Sequence, residues 1–397
     1  MSQRAFAGNR GEGVRSDCFV ELEIGSKGGI QVSLESKVER MFGNQIRSLA
    51  VTVLNELGIK DAQVHIEDTG ALPFVIAARL EAAVKSVIRT DRSYLPDMIQ
   101  TDRQESSRHR YRLSRLYLPG NTPRLMLNAG IHEPDGIILD LEDSVAPDKK
   151  AEARLLVRNA LRQVDFYRAE RMVRINQLPA GLDDLADIVP HQVDLILIPK
   201  CEQGSEVARV AGNIKSILEA EGQQRNIFLM PIIETALGIE NAFQIATASE
   251  SVVAVAIGLE DYTADLGVKR TDTGEESWYA RTRLVNACKA AGIQPIDSVF
   301  SDIENMEALL ENARRSRNLG FEGMGCIHPR QIRVIHAGFR PGQEEIEKAQ
   351  RIVEAFREAK AKGLGVTTLG SKMIDPPVVK RAEQTLELAA RFKINET

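Results

Sequence analysis

Glu234 and Asp261 each close a run of apolar residues, "IFLMPIIE" and "VVAVAIGLED". Few cationic residues lie near either acid in the chain. Two carboxylates that converge with water suit a hard divalent cation such as Mg2+, which keeps much of its hydration and takes further ligands from substrate. Taken singly, each acid reads equally well as an ion-pair partner or a helix N-cap. Three further short runs end in charge. "GIILDLED" ends in Asp140, Glu142 and Asp143, "RMVRIN" carries Arg174, and "LILIPK" ends in Lys200. Arg174 either neutralises the acidic cluster or forks onto a carboxylate or developing oxyanion, for which its planar donors are fitted. Glu142, Asp143 and Lys200 are candidate substrate-side residues. His328, before Pro329, reads as a turn histidine or an acid–base group. Cys326 lies inside an apolar run and reads as core.

These residues need elements that bring them together. Eight short, near-continuous apolar runs recur after residue 110: "SRLYLPG", "GIILDLED", "RMVRIN", "LILIPK", "IFLMPIIE", "VVAVAIGLED", "PIDSVF" and "FEGMGCIHP". Most are separated by segments of helical periodicity. Parallel strands buried on both faces lose the alternation of a half-exposed strand, so the pattern predicts an α/β chain with a (β/α)8 barrel. An open doubly wound sheet is the alternative, but no G-x-G-x-x-G follows the first strand. In such a barrel chemistry is built at the C-terminal strand ends, where all of these charged residues fall. The helical tail lies outside the strand count and is expected to cover the mouth or reach a neighbouring subunit.

Residues 1–88 have a separate pattern. "CFVELEIGSKGGIQVSLES" alternates across a Gly-Gly break and predicts a hairpin. "VERMFGNQIRSLAVTVLNELG" predicts a helix closing on Gly58, and "AQVHIED" a strand. "ALPFVIAARLEAAVKSVI" predicts a β-rich start passing into a helix. The result is a small α+β unit. Residues 89–110 are charged and poor in apolar groups and read as a linker to the barrel and tail, 111–397. The length of 397 residues fits two domains. A net charge of -5 argues against a nucleic-acid partner. No apolar run is long enough to span a bilayer, and no secretory signal pattern opens the chain. Four scattered cysteines read as reduced thiols of a cytoplasmic protein.

In order, "LYLPG…GIILDLEDSVAPDKK", "VRIN", "LIPK", "PIIETALGI", "GLEDYTADLG" and "GSKMIDPPVV" resemble the β subunit of citrate lyase. More broadly they are similar to the malyl-CoA and citramalyl-CoA lyases of the same aldolase superfamily. The resemblance implies that Glu234 and Asp261 bind Mg2+ and that Arg174 contacts the reacting group. It also implies that Asp375 of "KMIDPP" is the acid–base, reaching the site of an adjacent subunit in a homo-oligomer, a trimer or a multiple of one. Residue spacing alone reads Asp375 as a turn or N-cap. Two departures touch the substrate pocket. Leu113-Ser114 replaces the usual Arg-Ser, with Arg112 one place earlier, and "TALGI" replaces "SPLGI".

The first 88 residues resemble the acyl carrier (γ) subunit of citrate lyase, which carries a phosphoribosyl-dephospho-CoA arm on a serine. In that pattern the serine stands two residues before an Asp. Here Arg15 holds that place and Ser16 directly precedes Asp17, so Ser16 is either the attachment site or simply the opening of a strand. The fusion implies retro-Claisen cleavage of a citryl thioester on a tethered carrier, with a transferase (α) subunit as partner. The rival readings are a lyase acting on free CoA thioesters of malate or citramalate, and a non-catalytic scaffold.

Overall fold

The computed structural model describes residues 3–101, 105–271 and 273–394. The N-terminal unit holds strands β1 (Gln3–Gly8), β2 (Cys18–Ile24), β3 (Ile30–Ser36) and β4 (Ala62–Asp68), with helices α1 (Glu39–Glu56) and α2 (Pro73–Val87). Its sheet order is β1-β2-β4-β3. The expected β2–β3 hairpin is therefore incorrect. Strand β4 lies between them, antiparallel to β2 and parallel to β3. Gly28 and Gly29 both take positive φ, +107° and +72°, and open a wide connection instead of a tight turn. Strand β4 competes well for the central place because Ala62, Val64 and Ile66 are all buried. The β-rich reading at the start of "ALPFVIAARL" also fails. Pro73 opens α2 at its first turn, and Val75 and Ile76 are core residues of that helix. Gly58, φ +83°, follows the end of α1 as anticipated.

Each of the eight apolar runs is a strand: β5 (Ser114–Pro119), β6 (Gly136–Asp140), β7 (Glu170–Arg174), β8 (Leu195–Ile198), β9 (Phe228–Ile233), β10 (Ala254–Ile257), β11 (Gln294–Ile296) and β12 (Met324–Cys326). They pair in parallel and in chain order, β12 returns to β5, and a bridge from Asp297 to Met324 closes the ring. This is the (β/α)8 barrel. Its interior is packed by residues such as Ile138, Met172, Leu195 and Met230.

Segment 89–110 has no helix or strand among its described residues, but it is strapped onto the helix Lys150–Gln163. Ile99 N donates to Arg162 O at 2.9 Å, Arg158 Nη2 to Tyr94 O at 3.0 Å, and Arg162 Nε to Pro96 O at 2.5 Å. The tail helices Gln343–Ala361 and Pro376–Ile394 pack on each other. A hairpin of β13 (Thr367–Leu369) and β14 (Lys372–Ile374) joins them. All four cysteines are buried and free, and burial pushes their thiols above the usual range. No helix among the described residues is long and apolar enough to cross a membrane.

Candidate active site

The residues that end β5, β6, β7, β9 and β10 converge on one cavity of about 470 Å3 at the C-terminal end of the barrel. Asp140, Asp143, Arg174, Glu234 and Asp261 all line it. Arg174 is held as a fork: Nε donates to Asp140 Oδ1 at 2.6 Å and Nη2 to Asp140 Oδ2 at 2.7 Å. Its Nη1 lies 2.8 Å from Glu142 Oε2 and 3.6 Å from Asp143 Oδ2. The guanidinium also stacks over the Tyr117 ring, 5.4 Å from the centroid. This geometry raises the Arg174 pKa despite burial and keeps Asp140 ionised, its pKa lowered by the same fork. The fork and the Glu142 pair neutralise the acidic cluster, and further N–H donors of Nη1 and Nη2 lie outside the fork.

Lys200 sits between the two acidic groups. Its Nζ is 3.3 Å from Glu142 Oε1, 3.4 Å from Asp143 Oδ1 and 3.8 Å from Asp261 Oδ1. Its backbone has φ +48°, a left-handed conformation that costs about 1 kcal/mol or more in a non-glycine residue. That bend lets Lys200 N donate to Glu234 Oε2 at 3.2 Å. Gln177 Nε2 donates to Glu142 Oε1 at 2.9 Å.

Glu234 is buried, while Asp261 is half-buried. Burial first, and then the Asp261 charge, push the Glu234 carboxyl up to about 8. A carboxyl so placed holds its proton until a cation offsets both effects. Gly258 is what makes room for it. A Cβ there would lie 2.4 Å from Glu234 Oε1 and 2.7 Å from its Cγ. Gly258→Ala is expected to fold but to swing Glu234 aside and weaken divalent-cation binding by roughly 10- to 100-fold, measured by calorimetric titration.

Other expected residues lie elsewhere. His328 caps the helix Pro329–Phe339, its Nδ1 accepting from Arg330 N at 3.2 Å, which is the turn reading. Asp375 caps the last helix, with Oδ1 accepting from Val378 N at 3.1 Å, and does not line the cavity of its own chain. The sequence reading missed Tyr117, Arg115 and Gly258. The signal for the first two was parity: Arg115, Tyr117 and Pro119 alternate on one face of β5.

The N-terminal unit packs its helix α2 along the barrel helix Lys150–Gln163. Arg158 is forked onto Glu81 at 3.0 and 2.6 Å, and Asn159 Nδ2 donates to Phe74 O at 3.1 Å. One edge of the unit reaches the loop after β5. Asp17 accepts from Arg79 Nε at 3.0 Å and Nη2 at 2.9 Å, and the same Nη2 donates to Asn121 O at 3.2 Å, in the loop that follows β5. Glu152 Oε2, on the helix after β6, accepts from Gly8 N at 2.9 Å. Asp17, Arg79 and Glu152 are all buried. The adjoining Ser16 has φ +56° and lines an open cleft with Gly11, Gly13, Arg15 and Lys37. Asp17→Ala leaves Arg79 without its fork partner. It is expected to cost about 3–5 kcal/mol in urea unfolding.

The comparisons fit this arrangement. Residues 113–329, more than half the chain, match the family described as HpcH/HpaI aldolase/citrate lyase. The chain belongs to that family. It is a carbon–carbon lyase by that membership. Residues 3–87 match a second family, described as the malonate decarboxylase delta subunit, so the lyase carries a carrier-like unit at its N-terminus. The citrate lyase subunit beta of Haemophilus influenzae is 41% identical over 281 residues, covering 70% of this chain and 97% of that protein. The human mitochondrial citramalyl-CoA lyase is 32% identical over 337 residues, covering 81% of this chain and 99% of that protein. Among solved structures, the protein CitE of Mycobacterium tuberculosis in complex with magnesium, acetoacetate and coenzyme A matches at 30% identity. Its TM-score is 0.61, over 72% of this chain and 100% of that one.

Proposed function

We propose that this lyase cleaves a citryl thioester carried on its own N-terminal unit into oxaloacetate and an acetyl thioester, with Mg2+ at Glu234 and Asp261. The observation that carries the proposal is a carrier-like unit packed on the flank of the barrel, with Arg79, paired to Asp17 beside Ser16, reaching Asn121 in the loop after β5 at the catalytic end. Glu234 and Asp261 fit Mg2+. One carboxyl is buried in a cradle that Gly258 keeps open, the other is half-exposed to water, and no third protein ligand is required. Among the described residues no cluster of three His, Cys, Asp or Glu side chains would form a protein-only metal cage. When bound, the ion would supply Lewis acidity to the substrate hydroxyl oxygen.

The chain's own groups divide the rest of the work. The hydroxyl proton goes to a carboxylate, the C–C bond breaks with its electron pair passing to the thioester enolate, and the hydroxyl carbon becomes the ketone of oxaloacetate. A proton returned to the enolate carbon completes the acetyl group. Arg174, fixed by Asp140, aims its remaining N–H groups at the oxyanion of that enolate. Asp143 lines the cavity, and Lys200 and Glu142 stand behind it and hold the charge balance. Asp375 is assigned the proton transfer, acting on the site of a neighbouring copy in a homo-oligomer. A transferase subunit would load citrate onto the arm.

Intact-mass spectrometry of the full chain from its native host tests the tethered form. A mass increase located on Ser16 is the expected result. An unmodified Ser16 together with turnover of free CoA esters would favour the second reading, a lyase of free citramalyl-type thioesters. That reading draws support from the likeness to the human citramalyl-CoA lyase.

A further inference from the structure

Arg115 lies inside the barrel, two residues deeper along β5 than Tyr117, and lines the active-site cavity. It is 1% exposed. Among the described residues no carboxylate forms an ion pair with it. Nη1 donates to the sulfur of Met230 at 3.0 Å, and Nε is buried without a hydrogen-bond partner. The nearby cations are already neutralised. Arg112 is forked onto Glu170 at 2.7 Å through both Nε and Nη2, and Arg174 onto Asp140. In register with Arg115 stand Gly136 on β6 and Gly325 on β12. Met172 fills the open side of the first, and Val299 and the Tyr117 ring that of the second, so apolar and ring side chains flank Arg115. A planar cation is thus buried without an ion-pair partner at the floor of a cavity whose rim is acidic. Burial draws its pKa down only to about 10, so it stays charged near neutrality.

We infer that Arg115 receives a carboxylate of the substrate at the cavity floor, and that the 2-oxo acid released by cleavage therefore carries a second carboxylate. This rests on the function proposed above and narrows its substrate class. With one carboxylate and the hydroxyl oxygen at the Glu234–Asp261 rim, a dicarboxylate such as oxaloacetate has a second acid group to place. Pyruvate and glyoxylate have none. Ligand binding would supply the counter-charge that the protein withholds, and an analogue lacking the acid would leave the guanidinium buried and unpaired.

Calorimetric titration of the full chain with oxaloacetate and with pyruvate, both in Mg2+, tests this for the native protein and for Arg115→Met. The native protein is expected to bind oxaloacetate roughly 10- to 100-fold more tightly than pyruvate. Arg115→Met is expected to shrink that ratio to about threefold or less, leave pyruvate affinity unchanged and not lower the unfolding temperature, since an unpaired buried charge is replaced by an apolar chain of similar length. Arg115→Lys should keep an intermediate ratio, because it retains the charge without the fork. Equal affinity of the native protein for the two acids overturns the inference. So does equal loss of both in Arg115→Met, or a variant that melts early, which would make Arg115 a structural pillar. If the native protein binds neither acid in Mg2+, the proposed function itself fails.

Discussion

Glu234→Gln is expected to leave the fold intact, weaken Mg2+ binding and reduce turnover by roughly a hundred-fold or more. The same substitution has a pH signature. Burial and the Asp261 charge hold the Glu234 carboxyl at about 8, against 4.5 in the free side chain. Between those values the metal-free native protein keeps a proton that the unfolded chain releases. The contribution of this group to stability is therefore highest below pH 4.5, falls as pH rises through the window, and levels off above 8. The Glu234→Gln substitution removes that slope. Mg2+ must expel the proton, so its apparent affinity should rise about tenfold per pH unit below 8 and then flatten. Calorimetric Mg2+ titrations at several pH values, with urea unfolding of the metal-free protein, measure both slopes. A pH-independent Mg2+ affinity would remove Glu234 from the site.

The second large effect belongs to Arg174. Arg174→Lys keeps a charge but loses the fork onto Asp140 and the stack over Tyr117. It is expected to cut kcat by about 100- to 1,000-fold with a smaller change in KM. Arg174→Ala is less informative, because it strands the buried Asp140 and Glu142 without their cation and should cost about 3–5 kcal/mol of stability. Steady-state kinetics combined with urea unfolding separate the two. Native kcat in the Arg174→Lys enzyme would show that Arg174 only neutralises the "DLED" cluster.

The barrel was legible in the sequence because a parallel strand buried on both faces must be apolar throughout, and eight such runs admit few alternatives. Its mouth was legible for the same reason: a charge that closes such a run can only emerge at the strand end, as Glu234 and Arg174 do. Strand partnering in the N-terminal unit was not. Whether β3 pairs with β2 or β4 depends on a strand beyond the whole of α1, and local alternation is blind to that choice. The docking network is equally non-local, since Asp17, Arg79 and Glu152 meet only when both units are folded. Arg115 was hidden differently. An arginine in "SRLYLPG" carries no local mark of depth, and only closure of the ring puts its face of β5 inside. The acid–base role proposed for Asp375 comes from resemblance alone, and its place as a helix cap is what spacing suggested.

The central claim is that this chain breaks the C–C bond of a citryl thioester with Mg2+ held by Glu234 and Asp261. The most direct measurement is the release of oxaloacetate from citryl thioester by the purified full-length protein, with and without Mg2+, beside Glu234→Gln. The account predicts equimolar oxaloacetate and acetyl thioester that require Mg2+ and vanish in the Glu234→Gln variant. Citryl thioester left intact in Mg2+, or cleaved equally well by the Glu234→Gln protein, would contradict it.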